Sequence, residues 1–218
     1  MIDMDETREL NPIEYPHIEM HDAIVARVLG VSRKELEKSD PVIGTAAFGG
    51  HARETIIIDY SWAIPSHNAL LSFSFFMESL GKKRIIEIGA GRGYWAHLIN
   101  QMGINIKAFD NHSWGYKDNQ FFPVKKGDCS VLANKDRSKD ALFLVWPPYR
   151  RSMAADCLNI FEDNGGELLF YVGEGEYGCN ANSEFFNILD NGWTELKSIF
   201  IPQWNDLNDY MSIWKKDN

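Results

Sequence analysis

The sequence predicts an α/β fold: a doubly wound, mostly parallel sheet of seven strands with an antiparallel edge, preceded by an N-terminal helical appendage. Short apolar segments alternate with amphipathic helical segments from residue 65 to residue 189, which is typical of parallel strands joined by helices on both faces. The last two predicted strands follow each other without a helix between them, which favours an antiparallel pair at one edge.

Two regions differ in composition, residues 1–58 and residues 59–218. In the first, apolar residues at helical spacing predict a helix over 20–29, and Ser32 begins a second, short and charged helix. The Gly- and Ala-rich stretch 42–53 predicts a loop. We therefore expect 1–58 to form a helical appendage or cap on a core domain over 59–218.

The core domain contains all seven predicted strands and four predicted helices. The strands are expected over 84–88, 105–109, 122–125, 141–146, 167–172, 195–201 and 209–214. The helices are expected over 66–80, 93–102, 151–161 and 183–189. The run 141–146 is apolar throughout, as expected for a strand that is covered on both faces.

Charge and composition exclude several classes of protein. The chain has 218 residues, 44% hydrophobic residues and a net charge of −9, which opposes binding to bulk nucleic acid or to anionic lipid. No run of 18 apolar residues indicates a membrane span. The acidic start lacks a secretory signal, and the three separated cysteines form no disulfide framework, so the predicted location is the cytoplasm. No His, Cys and Asp cluster has metal-ligand spacing, so no metal is predicted.

Three alternating glycines follow the first predicted strand, at Gly89, Gly91 and Gly93, and a helix begins directly after them. Glycines allow a sharp turn and a close approach to a ligand, and a helix N-terminus favours a carboxylate or phosphate. The dinucleotide fingerprint G-x-G-x-x-G is absent because position 94 is tyrosine, and no G-K-[ST] follows as in a P-loop. The alternative to a ligand site is a tight strand–helix connection.

Two carboxylates follow the next strands. Asp110 ends the second strand, where it can accept hydrogen bonds from both hydroxyls of a ribose. Asp128 follows the third strand, where it can accept a hydrogen bond from an adenine amino group.

The segment Glu87-Ile-Gly-Ala-Gly-Arg-Gly93, followed by Asp110, resembles the first two motifs of class I S-adenosylmethionine (SAM) methyltransferases. The resemblance extends over about 65–214. It implies a Rossmann-like sheet of order 3-2-1-4-5-7-6, with the seventh strand antiparallel and SAM lying across the carboxyl ends of the first strands. The methionine part would meet Glu87 and the glycine loop, Asp110 would hold the ribose, and Asp128 with Cys129 would hold the adenine. The cofactor-binding residues expected on this resemblance are Glu87, Gly89, Ala90, Gly91, Gly93, Tyr94, Asp110, Asn111, Asp128, Cys129 and Trp146.

The end of the fourth strand, Trp146-Pro147-Pro148-Tyr149, is similar to the [DNS]-P-P-[YF] signature of amino-methyltransferases but departs from it at Trp146. An indole only donates a hydrogen bond and cannot accept one from an amine, which argues against methylation of a base amino group. Two residues are predicted to act on the acceptor: Tyr149 by stacking or hydrogen bonding, and Glu174 by orienting it. The predicted substrate-binding residues are Tyr60, Trp62, Ser66, Pro147 and Pro148.

The function predicted from these features is a SAM-dependent transferase that methylates a small molecule or a peptide-like metabolite. Family members also transfer the 3-amino-3-carboxypropyl group of SAM, as in maturation of the nucleotide-peptide antibiotic microcin C, which is one alternative. A non-catalytic SAM-binding subunit or sensor is another. The expected partner is the acceptor itself rather than a nucleic acid or a membrane, and both a homodimer and a partner protein stay open.

Overall fold

The computed structural model describes residues 57–58, 60–113, 119–204 and 207–217. The predicted appendage over 1–58 lies outside the described residues except for Ile57 and Ile58.

Seven strands and four α-helices make up the described part of the chain. The strands are β1 (Arg84–Ile88), β2 (Ile106–Asp110), β3 (Val124–Lys126), β4 (Asp140–Val145), β5 (Leu168–Gly173), β6 (Trp193–Phe200) and β7 (Tyr210–Lys216). The helices are α1 (His67–Ser79), α2 (Tyr94–Gln101), α3 (Met153–Asp163) and α4 (Ser183–Gly192). None of these helices is long and apolar enough to cross a membrane.

The strands form one sheet in the order β3-β2-β1-β4-β5-β7-β6, which confirms the predicted order. β1 pairs in parallel with both β2 and β4, and β4 pairs in parallel with β5. β7 is antiparallel to β5 and to β6, as expected for a strand that follows its neighbour without a crossover helix.

Alternate residues of the central strands face two separate apolar layers. Ile85 and Phe143 pack with α1 and α2 on one face, whereas Ile86 and Leu142 pack with α3 and α4 on the other. Because both faces are covered, β4 and β5 are apolar nearly throughout. The sheet is therefore doubly wound, as predicted.

β1 has its predicted ends, and every other element begins and ends within three residues of the predicted positions. β3 is reduced to three residues, Val124–Lys126, and β6 begins at Trp193, directly after α4. The pattern did not predict the short 3₁₀ helix Cys129–Leu132, which begins where the Asp128 carboxylate accepts a hydrogen bond from the Ser130 N–H at 2.9 Å.

Candidate functional site

β1 and β4 are neighbours in the sheet. β2 and β3 are added on the side of β1, whereas β5 is added on the side of β4, so the direction in which strands are added reverses between β1 and β4. In open α/β sheets this reversal leaves a crevice at the carboxyl ends of the strands, where ligands bind. A cleft that is partly open to solvent lies there. It is lined by Ile57, Tyr60, Ser61, Trp62, Glu87, Gly89, Ala90, Gly91, Arg92 and Val145.

The glycine loop after β1 forms one side of the cleft. Gly89, Gly91 and Gly93 have φ angles of 79°, 55° and 75°, in the left-handed region that glycine adopts without strain. At Gly93 a Cβ atom would lie 2.9 Å from Val124 Cγ2 and 3.0 Å from Phe122 Cβ. The loop therefore requires glycine at this position for conformation and for space.

Asp110, at the end of β2, ties the glycine loop to the loop that follows β2. Its Oδ2 accepts a hydrogen bond from the Gly91 N–H at 2.9 Å, and its Oδ1 accepts one from the His112 N–H at 2.6 Å. A carboxylate has about four acceptor positions, so these two hydrogen bonds leave further positions for ligand hydroxyls.

Glu87 is a buried carboxyl in the lining of the cleft. Its side chain is 1% exposed, and Oε2 has no hydrogen-bond partner among the described residues. Burial raises the pKa of Glu87 well above its ordinary value, and the negative charge of Asp110 raises it further. Since buried polar groups are nearly always hydrogen-bonded, this atom indicates a ligand that donates to it.

Aromatic rings form the opposite part of the lining. Tyr60 stacks on Phe121 with ring centroids 5.6 Å apart and meets the edge of Tyr94 at 5.3 Å. Trp62 stacks on Trp146 at 5.1 Å with an interplanar angle of 18°. Of these rings, Tyr60 and Trp62 line the cleft itself.

Arg92 lies in the cleft lining and was not among the predicted site residues. Its guanidinium donates to the carbonyl oxygens of Asn119 and Ile58, and it lies 5.6 Å from the centroid of the Phe121 ring. The sequence contains a signal for this position, because Arg92 stands between the second and third glycines of the loop.

Trp146, the first residue after β4, has a φ of 49°, which is rare for a bulky side chain. Its N–H donates to the Val172 carbonyl oxygen at 2.8 Å, and its indole Nε1 donates to Asp209 Oδ1 at 3.0 Å. Asp209, just before β7, is 0% exposed. No sequence pattern pointed to Asp209, which lies 63 residues from its partner.

The rest of the segment after β4 lies outside the cleft lining. Tyr149 is 50% exposed, with the Arg150 guanidinium 4.9 Å from its ring centroid. Pro147 is buried, and its carbonyl oxygen accepts a hydrogen bond from the Ala181 N–H at 3.1 Å. Pro148 is exposed. The roles assigned to Tyr149 and to both prolines stay predictions.

The Glu174 carboxylate, predicted to orient an acceptor, joins two loops. Oε2 accepts a hydrogen bond from the Cys179 N–H at 2.8 Å, and Oε1 accepts one from the Asn208 N–H at 2.9 Å. Burial acts to raise the pKa of Glu174, but hydrogen bonds from the Cys179 thiol and from the Asn208 and Cys179 N–H groups outweigh it and hold the pKa below its ordinary value. These contacts hold the Glu174 side chain in place, and its role toward an acceptor stays a prediction.

Two further predicted residues hold local structure. The Ser66 hydroxyl accepts a hydrogen bond from the Ala69 N–H at the start of α1 and donates to the Phe200 carbonyl oxygen at 2.9 Å. Asn111 is exposed, and its side-chain oxygen accepts a hydrogen bond from the Ser113 N–H. Neither lines the cleft.

At the predicted adenine side, Asp128 is exposed, and its pKa is lowered by hydrogen bonds from Ser130. A hydrogen bond with the Cys157 thiol lowers the pKa of Cys129 to about 7. Their adenine contacts stay predictions. Across the described ranges, no three His, Cys, Asp or Glu side chains form a group that could hold a metal ion.

Comparison with solved structures shows which fold this is. Magnesium protoporphyrin IX methyltransferase from Synechocystis PCC 6803, solved with bound S-adenosylhomocysteine (SAH), is 10% identical; the match covers 90% of this chain and 100% of that one, with a TM-score of 0.51. A SAM-dependent methyltransferase from Archaeoglobus fulgidus is 15% identical over 67% of this chain and 93% of its own, with a TM-score of 0.47. No protein-family model and no curated protein matches the sequence. The chain has the class I methyltransferase fold that the resemblance implied.

Proposed function

We propose that the chain is a SAM-dependent methyltransferase that acts on a small molecule or a peptide-like metabolite. The observation that carries this proposal is the buried Glu87 carboxyl, which lines the switch-point cleft and has an oxygen without a hydrogen-bond partner among the described residues. A ligand with an ammonium group would supply that partner, and the adjoining glycine loop gives a ligand close access to the backbone.

The residues present fit SAM. Glu87 would accept hydrogen bonds from its ammonium group, and the N-terminal end of α2 favours its carboxylate. Asp110 would accept the ribose hydroxyls with the lone pairs that the Gly91 and His112 N–H groups do not use. When bound, SAM supplies an activated methyl group on a sulfonium.

The chain's own contribution is to position two molecules and to exclude water. Tyr60 and Trp62 cover the cleft with aromatic surface, which lowers access of water to the reacting groups. Holding the acceptor in line with the methyl group replaces a bimolecular encounter with a nearly unimolecular step.

The acceptor side favours a small molecule over a nucleic-acid base. The Trp146 indole N–H donates to Asp209, so this position offers no acceptor for the amino group of a base. The net charge of −9 also opposes a polyanionic partner.

Calorimetry with SAM, SAH, NAD and ATP tests the cofactor. We expect SAM and SAH to bind with micromolar affinity and NAD and ATP not to bind, because the loop lacks the dinucleotide spacing and the P-loop lysine. Binding of NAD without binding of SAM would contradict the proposal.

Methyl-labelled SAM tests the acceptor class. The protein is incubated with labelled SAM and separated fractions of a cell extract, and label is expected in the low-molecular-mass fraction together with stoichiometric SAH. Label confined to RNA or DNA would refute the small acceptor. Formation of methylthioadenosine in place of SAH, above the level in an enzyme-free control, would show that the protein transfers the aminocarboxypropyl group and not the methyl group.

A further inference from the structure

Two indoles and one buried carboxylate form a continuous unit beside the cleft, which we call the indole pair with its carboxylate. Trp62, which lines the cleft, stacks on Trp146 with ring centroids 5.1 Å apart. The Trp146 indole Nε1 in turn donates to Asp209 Oδ1 at 3.0 Å. The cleft, the two rings and the carboxylate therefore follow one another in direct contact.

Negative charge is concentrated behind the indole pair. The Asn208 N–H donates to Glu174, and the next residue is Asp209, so one loop segment brings the two carboxylates together. Both charges act on the Tyr171 hydroxyl. Burial raises the pKa of Tyr171, and the charges of Asp209 and Glu174 raise this pKa further. This part of the site has a potential that favours a cation.

The backbone of Trp146 is held in an unfavourable conformation to present its ring. A φ of 49° is sparsely populated for a non-glycine residue and persists only where its surroundings impose it. Here the Val172 carbonyl oxygen holds the backbone N–H, and Asp209 holds the indole N–H. Residues strained in this way are concentrated at ligand-binding positions.

We propose that the indole pair with its carboxylate is the subsite for the sulfonium cation of SAM, with Asp209 as its positioning residue. Indole faces attract cations through the ring quadrupole, and a hydrogen bond from the indole N–H to a carboxylate increases the electron density of the ring. The subsite distinguishes SAM, which is positively charged at sulfur, from SAH, which is neutral there, and so favours release of the product. This inference rests on the proposed SAM-dependent function.

The test compares the affinities of the full-length protein for SAM and for SAH by calorimetry. Trp62→Leu is expected to weaken SAM binding by about 3- to 30-fold while the SAH affinity changes by less than about 2-fold. Asp209→Asn preserves shape and removes the charge, and it should reduce the SAM-to-SAH affinity ratio by about 2- to 5-fold. Sinefungin, which carries an ammonium group near the sulfonium position, should follow SAM.

Trp214→Leu is the matched control, because this half-buried tryptophan packs in the opposite apolar layer and donates to Ser212. It should leave the affinity ratio unchanged. Equal losses of SAM and SAH affinity in both site variants, or no loss in either, would overturn the sulfonium subsite and leave SAM binding intact. A wild-type protein that binds neither SAM nor SAH would overturn the proposed function and this inference together. The Asp209→Asn variant removes little packing, so its SAM-to-SAH affinity ratio still tests the sulfonium subsite if Trp62→Leu does not fold.

Discussion

The loops at the carboxyl ends of the strands form sharp turns in two different ways in the two halves of the sheet. In the half formed by β1, β2 and α2, the left-handed backbone conformations of the loop after β1 fall on glycines. In the half formed by β4, β5 and β7, they fall on Trp146, Arg150 and Ala181, where a side chain makes them costly. The glycine loop after β1 is shaped by backbone freedom, whereas the segment after β4 is shaped by contacts that impose its conformation.

The ranges of the stabilising contacts differ in the same way. In the first half, Asp110 bonds to Gly91, 19 residues away, and to His112, two residues away. In the second half, the Trp146–Asp209 contact spans 63 residues and the Glu174–Asn208 contact spans 34. The conformation of the loops at the sheet edge is therefore determined by contacts within a short segment in the first half and by tertiary contacts in the second.

The largest effect is expected from Gly93→Val in the first half. The new side chain would be β-branched at a φ of +75° and would lie within 3.0 Å of Val124 and Phe122. We expect a loss of about 2–5 kcal/mol in the free energy of unfolding and a loss of detectable SAM binding. Chemical denaturation and calorimetry measure the two effects.

Gly81→Val is the control for this prediction. Gly81 has a similar φ of +61°, but no heavy atom lies within 4 Å of its Cβ position. It should cost about 1–2 kcal/mol in stability and leave SAM affinity unchanged. Normal SAM binding by Gly93→Val would show that the loop does not need its backbone shape.

The second largest effect, a loss of SAM affinity, is expected from Asp110→Asn. The amide retains only one acceptor oxygen, so the Gly91 or the His112 N–H loses its partner and the proposed ribose site loses charge. SAM affinity should fall by about 5- to 150-fold, measured by calorimetry. Asp136→Asn is the control, since this exposed carboxylate accepts a hydrogen bond from the Ser138 N–H but lies outside the cleft lining. An unchanged affinity in Asp110→Asn would place the ribose contact elsewhere.

The sequence predicted the first half well because its signals are local. A short apolar strand, three glycines and a carboxylate after the next strand are visible within the segment from Arg84 to Asp110. The sheet order followed from the family resemblance and was confirmed. The four-residue 3₁₀ helix Cys129–Leu132 was missed because it is too short to have a periodicity.

The second half was predicted less completely because its conformation depends on contacts between residues that are distant in sequence. Trp146 was recognised as a departure from a known motif, but its carboxylate partner, Asp209, follows a loop near the end of the chain. The position of Glu174 at a strand end suggested work on an acceptor, yet both of its oxygens bond to backbone N–H groups. Only the folded structure shows these two contacts, and the role of Glu174 toward an acceptor stays a prediction.

Glu174→Gln is expected to lower the stability of the second half with little effect on SAM binding. The amide oxygen can keep only one of the two hydrogen bonds from the Cys179 and Asn208 N–H groups, so the free energy of unfolding should fall by about 1–3 kcal/mol. SAM affinity should stay within about 3-fold of wild type, a change of less than 1 kcal/mol in binding free energy. Glu176→Gln, an exposed neighbour, is the control.

The pH dependence of this effect has a definite sign. The folded protein lowers the pKa of Glu174 through its hydrogen bonds, so the carboxylate stabilises the fold above its ordinary pKa and this stabilisation is lost as the pH falls through the folded value. Thermal melts of wild type and Glu174→Gln should therefore differ at neutral pH and converge in acid. A constant difference across this range would show that the charge does not contribute.

The smallest change in stability, and the only gain, is expected from Glu87→Gln. Burial raises the pKa of Glu87, so ionisation opposes folding, and the stability of the wild type falls as the pH rises from the ordinary value of the carboxyl through the raised one. Glutamine does not ionise, so the variant should be more stable at neutral pH by about 1 kcal/mol, and its advantage should vanish in acid.

The same variant should bind SAM about 10-fold more weakly, because an ammonium group forms a weaker hydrogen bond with an amide than with a carboxylate. Melts across the pH range and calorimetry measure the two effects, with Glu195→Gln, an exposed residue of the edge strand β6, as the control. A loss of stability at every pH would show that Glu87 has a partner in the free protein. A gain of stability with unchanged SAM affinity would remove Glu87 from the binding site. A gain of stability together with a loss of affinity would show that the fold keeps a costly buried carboxyl for its ligand.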